Sequence, residues 1–203
     1  MNYDEIGRAY IDTVVEAVEI GDQIPDLEIS QEARKNLYKK QVDGDFRPHK
    51  NINENLVLMV KHDPDESNYV AVDHSTKEAH YKASFIKRKT LNGLPFEHYV
   101  QDEVMKNKNS SLPKHFASEI ALDHVEHTGI PLVSSEYQMY PGHKMWRNIV
   151  NSGLKRGYHA YRFKEGRVRK INTLDHDDTY DYYHDSEEGL RDHLVISKKE
   201  LKR

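Results

Sequence analysis

At 203 residues the chain has room for one sizeable domain with an appended arm, and although it is polar (36% apolar, 32% charged) its 13 Tyr and 5 Phe supply core bulk. The net charge of −4 argues against non-specific nucleic-acid binding as the main task, and the lack of Cys excludes disulfides, thiolate zinc sites and a Cys nucleophile. No apolar run approaches the roughly 20 residues that span a bilayer, and "MNYDEIGRAY" has no basic segment followed by an apolar one, so a soluble, intracellular protein or an assembly made inside a cell is expected.

Ile6, Tyr10, Val14, Ala17 and Val18 recur at helical spacing and predict an amphipathic helix over residues 3–20, stopped by "GDQIPD". "ISQEARKNLYKKQV" predicts a second helix that Ser30 is placed to cap. "DGDFRPHKNINEN" reads as a loop and as the boundary between a helical arm, residues 1–45, and a main domain, residues 46–203. Strands follow: "NLVLMVKH", then a hairpin made of Tyr69–Val72, a polar turn at His74–Lys77 and an alternating strand to about Lys87. "FEHYVQDEVM" is another alternating strand. "HFASEIALDHVEH" is a helix whose Phe116, Ile120 and Val125 or Leu122 face a core.

Next come the strand "IPLV", a glycine- and aromatic-rich loop and the helix "HKMWRNIVNSGL", which Met145, Trp146, Ile149 and Val150 pack onto a sheet. Gly142 frees the entry to that helix. "YHAYRF", a "KEG" turn and "RVRKI" form the next strands, and after an acidic loop "HLVIS" supplies a last one. Meandering strands followed by helix–strand alternation predict an α+β architecture with a mixed, mostly antiparallel sheet flanked by helices. The basic runs "IKRK" and "RVRK" read as solvated strand edges.

This order, from "NLVLMV" to "HLVISKK", resembles the GCN5-related N-acetyltransferase (GNAT) fold. "PLVSSEYQMYPGHKMWRNIV" is also similar to a pattern in GNAT-like proteins encoded by bacteriophages. The resemblance implies that acetyl-CoA, if used, lies against the central strand at Val104 and Met105 and at the following helix N-terminus, Lys114, His115, Phe116 and Ala117. There the family binds pyrophosphate on backbone N–H groups freed by glycines. This chain has "NKNSSLPKHFASE" instead: no Gly lies between Lys106 and Glu119, Pro113 lacks a donor and Phe116 adds bulk.

Many family members use a Tyr as the acid that protonates the leaving thiolate. Trp146 stands near that place and has no acidic proton to give, which leaves Tyr137 and Tyr140 as candidates by proximity. Glu103 is the candidate base, or an outward polar residue of an alternating strand. Two functions follow as expectations: a non-catalytic binding or structural component without cofactor, in a virion or in the cytoplasm of a host cell, or an acetyl-CoA-dependent N-acyltransferase acting on an unknown amine.

The remaining clusters carry weaker signals. His124 and His127 at i, i+3 read as a solvated helix face before a metal pair, so no metal is assigned. "DHDDTYDYYHDSEE" reads as an exposed loop and then as a protein-binding surface, with Asp185 and Glu188 capping a helical turn. With the N-terminal arm it points to a protein partner and to oligomers, with no nucleic acid or membrane. Ser134 and Ser135 lack the elbow that surrounds a serine nucleophile.

Overall fold

The structure, a computed structural model, describes residues 31–42, 44–89, 94, 96–106, 110–134, 140–164, 166–174 and 193–201, and of Glu103, Met105 and residues 140–144 the backbone alone. The helix expected over residues 3–20, the Ser30 cap, Ser135, Tyr137 and the acidic loop from residue 175 to 192 lie outside the described residues.

The fold is α+β. Helix α1 (Gln31–Val42) precedes strands β1 (Arg47–Asn51), β2 (Leu56–His62), β3 (Glu66–Asp73), β4 (Glu78–Arg88) and β5 (His98–Lys106). Then come α2 (Phe116–Thr128), β6 (Leu132–Val133), α3 (Tyr140–Lys155), β7 (His159–Lys164), β8 (Arg167–Ile171) and β9 (His193–Ser197). Among the described residues nine strands join one sheet in the order β1-β2-β3-β4-β5-β6-β9-β7-β8, and the β5–β6 pair is its parallel step. β9 lies antiparallel to both β6 and β7. β5, β6 and β7 therefore run the same way, and their C-terminal ends share one end of the sheet with the starts of α2 and α3.

Local chemistry explains the meander. Asp73 Oδ1 accepts the Ser75 and Thr76 N–H groups at 2.7 and 3.2 Å, which folds the chain into the turn joining β3 to β4. Alternation then sends Tyr69, Ala71, Tyr81, Ala83 and Phe85 to one face, where they meet Phe116, Ile120, Leu122 and Val125 of α2 and Trp146, Ile149 and Val150 of α3. Gly153 allows α3 to approach closely, because a Cβ there would stand 2.7 Å from Ile196 Cδ1 and 3.2 Å from Leu122 Cδ2. On the opposite face Leu37 and Tyr38 of α1 pack on Met59, Val70, Val72 and Ala79. Gln31 and Arg34 both donate to the buried Glu78 carboxylate, at 2.8 and 3.0 Å. The Gln31 bond, aided by Arg34, outweighs burial and holds that carboxyl below its usual range.

The sequence expectations need three corrections. Residues 47–51, expected as loop, form β1, a fully exposed edge strand paired to β2 through its backbone. The strand expected at "IPLV" is two residues long. Gly142 lies inside α3, which already begins at Tyr140. Among the described residues no helix is long and apolar enough to cross a membrane.

Candidate functional site

β5 and β6 pair in parallel through two residues of each strand. Tyr99 and Val100 pair with Leu132 and Val133, and the Tyr99 N–H donates to the Pro131 carbonyl at 2.9 Å. Beyond Val100, β4 is the sole pairing partner of β5 among the described residues.

On β5, the register with β4 slips so that Phe85 faces Gln101 and Ser84 faces Glu103, which leaves Asp102 as an inserted residue. Such a bulge bends its strand and raises its twist. On β6, Ser134 is turned toward β9. Its N–H donates to the Leu194 carbonyl at 2.8 Å, its Oγ accepts the Leu194 N–H at 2.9 Å, and its carbonyl accepts the His193 Nδ1–H at 2.9 Å. Ser134 is fully buried, so this hydroxyl is spent on structure.

The bulge also changes which residues face the helices. Before it, Tyr99 and Gln101 lie on the helix-covered face with Phe85; after it, Val104 opposes Ala83 and joins them. Gln101 is buried, yet neither its Nε2 nor its Oε1 has a hydrogen-bond partner among the described residues. An unmade bond on a buried group costs about 1–3 kcal/mol. Val104, by contrast, is an apolar side chain left 38% exposed. Gln101 and Val104 thus both lie beyond Val100, the last β5 residue paired with β6 among the described residues.

The entry to α2 follows β5 in the chain. His115 has φ 64° and ψ 17° and provides no side-chain cap. The Phe116 N–H donates to Pro113 O at 3.2 Å and the Glu119 N–H to His115 O at 3.1 Å, whereas the amides of Ala117 and Ser118 have no backbone acceptor among the described residues. Lys114 and His115 are exposed. Phe116 is buried edge-on against Tyr81, with ring centres 5.1 Å apart, so the bulk at the helix entry serves the core. Trp146 is 2% exposed and belongs to the same core.

Val104 and the stretch Lys114–Ala117 accordingly lie at one end of the sheet. Met105 and Glu103 sit on β5 beyond Val100, paired through the backbone with Lys82 and Ser84. Tyr140 opens α3 at that same end. Gln101 was missed by sequence reasoning. Its signal was the adjacent polar pair Asp102-Glu103, which interrupts the alternation of "HYVQDEVM".

The other end of α2 is closed by rings. His124 was expected on a solvated face and is instead completely buried. It stacks on Phe85 at 4.3 Å and 6°, meets the edges of Tyr69 and Tyr99, and places Nδ1 3.3 Å from the Tyr69 hydroxyl. Burial, with His62 and His127 nearby, pushes its pKa down to about 3. His127 is exposed and stacks on His62 at 4.9 Å, with His49 at 6.5 Å. Among the described residues no three His, Asp or Glu groups form a metal-binding arrangement. The chain matches no protein-family model, and comparison with curated proteins finds no match.

Proposed function

We propose that this chain is a non-catalytic binding component on an acetyltransferase-like sheet, and that the opening between β5 and β6 takes an extended segment of a protein partner. The observation that carries this reading is the buried Gln101 amide, which has no hydrogen-bond partner among the described residues and lies just past the last described β5–β6 pair. A free strand edge offers its N–H and C=O groups to an added strand, and an adjacent side-chain amide adds a further donor and acceptor. The helix entry supports binding without acyl transfer: it has no glycine, it includes Pro113, and its Phe116 is committed to the core. The likeness of Pro131–Val150 to phage-encoded proteins makes a virion or a host complex the setting for this role.

The second reading is an acetyl-CoA-dependent N-acyltransferase, with Glu103, Tyr137 and Tyr140 as its candidate acid and base. It is favoured by the Ala117 and Ser118 amides, which suit a pyrophosphate. Calorimetric titration with acetyl-CoA separates the two. Absence of heat at millimolar ligand is the expected result and removes the acyltransferase; micromolar affinity overturns the non-catalytic reading.

A further inference from the structure

We propose that His49, His62 and His127 form an acid-operated joint, which holds the edge strand β1 against the C-terminal end of α2 and releases it when the cluster takes up more than one proton. The three imidazoles come from β1, β2 and α2, and all are exposed. His62 and His127 stack with ring centres 4.9 Å apart and planes 8° apart, and His49 meets the His127 ring edge-on at 6.5 Å. His49 and His62 also lie edge-on to Tyr69, at 6.0 and 5.9 Å.

Local structure aims the rings. The register of β1 with β2 passes from Pro48 opposite Met59 to Lys50 opposite Leu58, so His49 is the inserted residue of a bulge, a device that redirects a side chain. His62 Nδ1 lies 2.9 Å from the Oγ of the buried Ser67, which holds the His62 ring in place. His127 stands in the last turn of α2, where the helix dipole favours a cation. One proton is therefore tolerated there, whereas a second sets like charges on rings that already touch.

The charged groups around the cluster do little to offset that second proton. On β1, Arg47 and Lys50 pair with Val60 and Leu58 of the helix-side core, so they add cations to the same side. On β2, Lys61 is paired with Asp45 and Asp63, and on β3 the Glu66 carboxylate accepts from Asn68. On α2, Glu126 is held by Lys198 and Tyr158, while Asp123 acts on both Tyr69 and Arg156. β4 and β5 bring Phe85 and Tyr99, which pack on the buried His124. Burial and the two neighbouring imidazoles already depress the pKa of His62. β1 is the element that gives way, because it pairs with β2 alone among the described residues and all five of its residues are exposed. Its release bares the outer edge of β2, where Leu58, Met59 and Val60 are buried.

The test is amide hydrogen exchange of the full chain at pH 7.5 and pH 5.5, read as protection factors corrected for the intrinsic rate. The expected result is a loss of protection of about tenfold or more in β1 and its β2 partners at pH 5.5, beyond any loss in the β3–β4 ladder. His127→Gln and His49→Gln should each recover most of that difference, while His74→Gln, beside Tyr38 of α1, should recover none. Equal loss in β1 and in the β3–β4 ladder assigns the effect to His124 and overturns the proposal. No loss in the wild-type chain, or an undiminished loss in either cluster variant, overturns it as well.

Discussion

The two ends of α2 rest on the same sheet and are filled in opposite ways. At its C-terminal end five rings, His124, Phe85, Tyr69, Tyr99 and His62, close the space between helix and strands. Toward its N-terminal end Gln101 has no hydrogen-bond partner among the described residues and Val104 stays exposed. The closed end concentrates apolar contact, which is what stabilises a fold. The open end keeps backbone and side-chain hydrogen bonds in reserve, which is what a binding surface needs. Substitutions at the closed end should therefore change stability strongly, and those at the open end should change binding.

The largest effect is expected for Phe85→Ala, which removes the ring beneath His124: about 3–5 kcal/mol lost in denaturant unfolding. The pH dependence comes next. A His whose folded pKa is depressed binds its proton more readily once unfolded, so His124 adds stability above the unfolded value near 6.5 and that stability fades as pH falls toward 3. About 2 kcal/mol should be gone by pH 5. His62, also depressed by burial and by His127 and His49, adds a loss of the same sign. His124→Phe should flatten most of this slope in melts between pH 7 and pH 5.

Ser134→Ala should cost about 1–3 kcal/mol by orphaning the Leu194 N–H. Gln101→Leu should leave the free chain unchanged or raise its stability by up to about 1 kcal/mol, because it deletes an unsatisfied amide. Val104→Ser should stay within about 0.5 kcal/mol of wild type. A large loss of stability in either of these last two variants would break the comparison, since the open end would then be part of the core.

How much of this could be read beforehand depended on where each residue's partners come from. β3, β4 and their turn were legible because alternation and Asp73 act within a few residues. The buried side of α2 was likewise legible in Phe116, Ile120, Leu122 and Val125. β1 escaped notice because Arg47–Asn51 is wholly exposed and joins the sheet through its backbone. His124 looked solvated because its cage is assembled from β3, β4 and β5. The surroundings of Gln101 depend on a bulge in one strand and on hydrogen bonds between Ser134 and Leu194, 60 residues downstream.

β9 has a consequence for the order in which the molecule is made. Although it follows every other described strand in the chain, it is wedged between β6 and β7 in the middle of the sheet. While a ribosome is still producing the residues before His193, the β7–β8 hairpin has no neighbouring strand to dock on, and Ser134 lacks the Leu194 and His193 groups that hold it. The meander from β1 to β4 is built from hairpins that close as they emerge, but the other half must wait for a strand that arrives late. During synthesis the waiting half is thus the one that needs protection from wrong strand pairing.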